Sequence, residues 1–387
     1  MRLIENLPTT LNLPTIPCAF NSNYKNGKII PAGRTFTRSG AVATHIDNDL
    51  GLRVADAADV PRFTKDGLLI EPSAINRLLY SNDLSQANWT KTTCTVTANQ
   101  GFDSYRLNNL WKLESVTNTG VEQNITINGV TTLSTETRAG TSTNFLLRDA
   151  TTNTSVTFTY ATKTITTSGT ILDYGYEDLG EGLYKVWFTF TAVTTVALKI
   201  RCNGQVGNVY FYLGHIEVKE GYYTSYIPTT SVAVIRAADV QSISATNFTQ
   251  YRQDAFTEVV NFIGKSVGTQ TYFDYHDGTA NNRIYLESVN GALTFNIIAG
   301  GVAQCALSLG SVTTGTEYTA AIALRVNDVA ACLNGGTVVT DTSVTLPTVT
   351  QKAEGMNYAG ANQCGVVGYI KGYAARLPNE QLQGLTS

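Results

Sequence analysis

Several segments of this 387-residue chain alternate apolar and polar residues with a period of two. "SVTFTY" at 155–160 sends Val156, Phe158 and Tyr160 to one side. "YKVWFTF" at 184–190 and "VALKIRC" at 196–202 alternate the same way, and "VYFYLGHIEV" at 209–218 is a longer apolar strand. A strand points successive side chains to opposite faces, so this pattern fits half-buried sheets and is out of register with a helix. "NITING" at 124–129 adds Ile125 and Ile127 and then the Asn128-Gly129 pair that suits a tight hairpin turn. Turns recur at the spacing of sandwiches rather than of βαβ units. The expected fold class is therefore all-β: two antiparallel β-sandwiches, preceded by an extended N-terminal arm.

Composition agrees. Charged residues are only 15% of the chain, well below the roughly 25% of an average globular protein, so uncharged polar groups must cover the surface. A net charge of -3, with 27 basic residues spread along the chain, offers no electrostatic footprint for nucleic acid. No stretch approaches the ~20 apolar residues of a membrane helix, and "MRLIENLPTTLNLPTIPCAF" lacks the apolar core of a secretory signal. The six cysteines, Cys18, Cys94, Cys202, Cys305, Cys332 and Cys364, are far apart. They are expected to be free, mostly buried thiols of a chain made in a reducing cytoplasm, with no metal site and no cofactor.

Four regions are expected. Residues 1–33, with Pro8, Pro14 and Pro17, read as an extended arm, and 34–79 as short strands with a helical hinge. In that hinge Pro72 would start a helical turn and Ile75, Leu78 and Leu79 would form its apolar face. Residues 80–240 read as one sandwich and 241–387 as a second, closed by a short helix in "LPNEQLQGL".

"TFTRSGAVATHIDNDLG", "AADVPRF", "GLLIEPSAINRLLYSNDLSQANWTK" and "GHIEVKEGYYTSYIPTTSVAVIRAADV" occur in this order. They are followed by "DGTANNRIYL", "RVNDVAACLNGG" and "GYIKGYAARLPNEQLQGLTS". Together they resemble phage virion appendage proteins of the tail-fibre and head-fibre type. The resemblance implies a carbohydrate-binding-like jelly roll at 80–240 and a concanavalin-A-like (laminin-G-like) sandwich at 241–387. It further implies a virion location after assembly in the host cytoplasm, a homotrimer, contact with other virion proteins through the arm at 1–33, and binding of host-surface polysaccharide. The alternatives are a tailspike-like depolymerase and a structural adaptor without sugar affinity. The family's Glu-Gly-Ala-Arg-Thr-Asn reads Glu71-Pro72-Ser73-Ala74-Ile75-Asn76 here, so its arginine is missing, and Arg77, a new arginine nearby, is the candidate to take over the pairing.

No catalytic constellation stands out. The three histidines, His45, His215 and His276, lack a nucleophile elbow or zinc spacing, and His215 inside "LGHIEV" reads as structural. The acidic run "YEDLGEG" at 176–182 reads as a solvated turn. For sugar binding, Trp89 and Trp111 with Tyr105 between them are candidate stacking platforms. The preferred reading packs Trp89 over the hinge and Trp111 into the core. Trp187 faces away from Val186 and Phe188, and core is the preferred reading there too. In the second sandwich Asp274, His276, Asp277, Asn281, Asn282 and Arg283 crowd one hairpin. They are either a sugar or Ca²⁺ rim or, as preferred, turn chemistry. "GYYTSYIPT" at 221–229 is either an adhesive patch or the packed closing edge of the first sandwich.

Overall fold

A computed structural model describes residues 18–40, 43–47, 52–116, 118–205, 207–248, 251–363 and 365–387. These residues form two antiparallel sandwiches. In the first, an eight-stranded sheet runs in the order Asp173–Asp178, Leu183–Ala192, Gly129–Ala139, Val209–Glu220, Trp111–Ser115 and Cys94–Thr97, with two short strands added beside Val209–Glu220. It faces a six-stranded sheet that includes Thr154–Thr159, Asn144–Asp149, Thr195–Arg201 and Gly120–Thr126. Alternation dictates the interior. Val156, Phe158 and Tyr160 meet Val186, Phe188 and Phe190, and Val196, Leu198 and Ile200 join them in one buried cluster. Ile125 and Ile127 belong to it too, and Gly129 takes the positive φ of 90° that the turn after Asn128 requires.

The second sandwich is built from both ends of the chain. Its eight-stranded sheet centres on Ala255–Gly264 and Gly365–Tyr373. The latter pairs with Cys18–Asn23 along one stretch and with Gly67–Ile70 along another. Gly67 sits at φ 137°, and a Cβ there would lie 2.2 Å from the Val367 carbonyl oxygen, so only glycine lets the two strands approach. The facing seven-stranded sheet runs from Arg34–Thr37 through Val240–Ile243, Gln351–Glu354 and Gln270–His276 to Val302–Ser311. Leu68, Ile70, Phe256, Phe262, Phe273 and Phe295 fill the space between. The predicted terminal helix is present at Asn379–Thr386, and its Leu382 is buried against Val259 and Ala321.

Two expectations need correction. The arm is not free from Cys18 onward, because Cys18–Asn23 is a strand of the second sandwich; residues 1–17 lie outside the described residues. The hinge is not helical. Ala74–Asn76 is a strand, paired antiparallel with Val234–Arg236, and Ile75 lies opposite Ile235. Pro72 removes a backbone donor, and the cross-strand partner outweighs the apolar spacing that had suggested a helix. The first sandwich is thus an insertion into the second. The chain leaves at Glu71 and returns beside its own outgoing strand.

A buried ionic cluster surrounds this neck. Arg62 donates to Glu71 at 2.7 Å and also to Asp239; Arg236 donates to Glu71 and to the Pro72 carbonyl. Arg38 reaches Asp239 at 3.2 Å, and Ser225 donates to Glu71 through its backbone N–H and its hydroxyl. Burial alone would raise the Glu71 carboxyl, but Arg236 and Arg62 hold it well below the usual carboxylate range. Two arginines therefore meet Glu71, Arg62 from the strand before it and Arg236 from the returning strand. Arg77 is not the substitute: it makes a half-exposed pair with Glu220 at 2.5 Å.

Candidate functional site

The face of the eight-stranded sheet turned away from the first core is polar. Ser134 lies opposite Trp187 and Glu217, and Glu136 lies opposite Lys185. The hairpin of Ala43–Asp47 and Leu52–Asp56 and the segment around 222–229 cover it. Arg53 donates to Glu136 at 3.2 Å, Lys185 donates to Glu217 at 3.1 Å, and the Ile227 N–H donates to Glu217 at 2.8 Å. His215 is buried between Glu136 at 2.9 Å and Asp103 at 3.2 Å, and its ring stacks on Tyr226. Burial would depress the His215 pKa, but the two carboxylates raise it. Ser104, His215 and Asp103 do come together. The Ser104 hydroxyl, however, donates to Glu136 at 2.5 Å and is buried, so it is a bonded structural group rather than a free nucleophile. His215 has the structural setting expected of it.

Beyond this covered layer the same face opens into a cleft of about 710 Å³ between the sandwiches. One wall is the edge strand Asp173–Asp178 with Trp187 and Tyr223; the other includes Lys65, Lys265 and the turns near 288–291 and 312–315. Trp187 and Tyr223 stack with centroids 4.1 Å apart and planes 9° from parallel. Gly175 makes room for this arrangement. It pairs with Trp187 across the strands, and a Cβ on it would lie 2.6 Å from the indole ring. Tyr174, 50% exposed, also lines the cleft. Two buried polar atoms here have no protein partner, the Trp187 indole Nε1 and the Asp173 Oδ2. Burial pushes the Asp173 carboxyl up to about 6, against a backbone bond from Tyr174 that lowers it.

The preferred core reading of Trp187 is corrected by this geometry: the indole is half-buried and lines the cleft. The usable signal was an aromatic on the polar face of an alternating strand. Glu177, from the acidic run read as a solvated turn, is exposed on the same strand and lines the cleft as well. In the tyrosine segment Tyr226 is packed, whereas Tyr223 forms the cleft wall.

The candidate platforms are not assembled into one site. Trp89 is 2% exposed within the first core and donates from its indole to the Tyr80 carbonyl at 3.1 Å, so it cannot stack on a sugar. Trp111 is half-buried and donates to the Asn82 carbonyl at 3.0 Å. Tyr105 meets His215 edge-on. In the second sandwich Arg283 donates twice to Asp274, at 2.9 and 2.6 Å, and lies over the rings of Tyr285 and Tyr358. Asp277 accepts from Thr279 and from Asn282, and His276 accepts from the Gly278 N–H at 3.1 Å. The exposed Asn281 gives its carbonyl to the Gly301 N–H. These contacts are turn chemistry joined to a stacked ion pair. No group of three or more His, Cys, Asp or Glu side chains suited to a metal occurs among the described residues. The five described cysteines are free, and Cys364 lies outside the described residues.

No family model matches the chain, and no curated protein matches it. Solved structures do. The CBM40 of the Ruminococcus gnavus IT-sialidase is 15% identical over 35% of this chain and 84% of its own, with a TM-score of 0.31. Domains LG4-5 of the mouse laminin alpha1 chain are 11% identical over 74% and 87%, with a TM-score of 0.25. The tandem CBM22-1-CBM22-2 of Paenibacillus barcinonensis Xyn10C is 9% identical over 79% and 100%, also at 0.25. What this chain binds has to be argued from its own cleft.

Proposed function

We propose that this chain is a structural and adhesive protein that binds glycans in the cleft between its two sandwiches. The observation that carries the reading is the pair of orphan polar atoms, Asp173 Oδ2 and Trp187 Nε1, set in an aromatic wall. Buried polar groups are normally bonded. An unpaired donor and acceptor buried in the wall of a cleft of this size, within the roughly 300–1,000 Å³ of small-molecule sites, fit a polar ligand that supplies the partners. Sugars combine such hydroxyls with apolar ring faces that suit exposed aromatics. The collinear resemblance to phage appendage proteins supports a place in a phage particle, as a tail fibre, head fibre or decoration subunit. On that reading the chain is a homotrimer and meets other virion proteins through its N-terminal arm.

A glycan array probed with the full chain, followed by titration of the hits, tests the adhesive role. Binding should fall at least tenfold in Tyr223→Ala and in Gly175→Ala, whose new methyl would displace the Trp187 indole. Hits untouched by either change would place the site elsewhere. Detection of the chain in purified phage particles tests the virion role, and its absence there would overturn it.

A second reading, a depolymerase, is favoured by one observation. The raised carboxyl of Asp173 stands four residues before Glu177 on the same strand face, and glycosidases use two carboxyl groups across the scissile bond. Release of reducing ends from a bound polysaccharide, abolished in Asp173→Asn and Glu177→Gln, would establish it. Intact product would leave the adhesive reading.

A further inference from the structure

The orphan atoms specify more than a sugar. Resting on the reading of the cleft as a glycan site, we infer that it takes uncharged pyranosides and selects against acidic sugars. In the bound state a ligand hydroxyl donates to Asp173 and a ligand oxygen accepts from the Trp187 indole N–H.

The selectivity follows from the donor and acceptor inventory of the pair. Asp173 offers an ionised oxygen that can only accept, and the indole N–H can only donate. A sugar carboxylate, itself an acceptor, would satisfy Trp187 but would leave Asp173 without a donor and bring two anions together. A free amine would satisfy Asp173 and leave Trp187 unanswered. A hydroxyl does both jobs, so a run of ring hydroxyls complements the pair.

The charge around the cleft points the same way. Its lining holds Asp66, Asp173 and Glu177 against Lys65 and Lys265. Neither lysine acts on Asp173: burial and the Tyr174 backbone bond are what set its protonation, with no cation contributing. An acidic ligand drawn to the lysines would therefore still meet an uncompensated carboxylate. The stacked rings of Trp187 and Tyr223 supply an aromatic wall against which a pyranose can lie.

Isothermal titration of the full chain at pH 7.5 tests this. The probes are neutral gluco-, galacto- and mannotrioses and the corresponding uronic-acid trimers. At least one neutral trimer should bind ten or more times more tightly than its uronic counterpart. In Asp173→Asn that gap should narrow several-fold, because the amide removes the anion and adds a donor. A uronic trimer that binds as tightly as its neutral partner would overturn the inference while leaving the glycan reading intact. An unchanged gap in Asp173→Asn would also overturn it, since selectivity would then reside elsewhere. If no trimer of either kind binds the folded chain, the cleft reading itself falls, and the inference with it.

Discussion

Replacing Asp173 by Asn should make the protein more stable while weakening its binding. The carboxyl lies in a partly buried site without an ion-pair partner, and burial raises it from the ordinary 3.8 to about 6. For a group that saw no water, that rise would correspond to about 3 kcal/mol between its two protonation states. Asp173 faces an open cleft, so solvent screening brings the figure to roughly 1–2 kcal/mol. The sign follows from linkage. The folded state holds the proton more tightly than the unfolded chain, so no penalty exists below the unfolded value near 4. Stability is lost as pH rises through about 6. Asparagine carries no such penalty. The melting temperature of Asp173→Asn should therefore match wild type near pH 4 and exceed it at pH 8. For a unit the size of the first sandwich the excess is roughly 2–8 °C. Differential scanning calorimetry at pH 4.5, 6 and 8 measures this. A variant less stable than wild type at pH 8 would refute the reasoning, because it would mean that the carboxylate is already satisfied within the protein. Residues kept at a cost to stability are common at functional sites.

Three further outcomes concern charged groups of the neck and the first sandwich. Glu71→Gln leaves Arg62 and Arg236 facing a neutral amide at the neck. It should cost about 3–5 kcal/mol, read as a lower denaturation midpoint, and a loss below 1 kcal/mol would contradict the pairing described. Arg77→Ala breaks a half-exposed pair with Glu220 and should change stability by less than about 1 kcal/mol in the same assay; a larger loss would restore Arg77 as the neck's missing arginine. The carboxylates of Glu136 and Asp103 raise the His215 pKa against the lowering effect of its burial. Its contribution should be complete below its ordinary value of about 6.5 and be lost as pH rises through the higher folded value. Melts from pH 6 to 9 against His215→Gln should converge, the comparison cancelling Lys219, which burial lowers to about 8. Curves that stay parallel would show that the histidine is neutral.

Much of the fold could be read in the chain because its rule is local. Val186, Phe188 and Phe190 announce their buried face by alternation, and Asn128-Gly129 announces its turn. The insertion could not be read that way. Pairing of Cys18–Asn23 and Gly67–Ile70 with Gly365–Tyr373 joins segments some 300 residues apart, and no local signal encodes such a partner. The hinge misled for a related reason. Leu78 is buried in the first core while Ile75 lies across from Ile235, so their helical spacing comes from two unrelated contacts. The site was partly visible. Trp187 stood out as an aromatic on a polar face, but its meaning depends on Tyr223, Gly175 and a wall from the other sandwich. Trp89 looked more prominent in the sequence and is core.

The most direct test of the central claim is a crystal structure of the full chain soaked with the tightest-binding neutral trisaccharide. Sugar density should appear between the strand Asp173–Asp178 and the second sandwich. A hydroxyl should lie within hydrogen-bond distance of Asp173 and a sugar oxygen within reach of the Trp187 indole nitrogen. Density over the Asp274–Arg283 hairpin or beside Trp111, with the cleft empty, would contradict it.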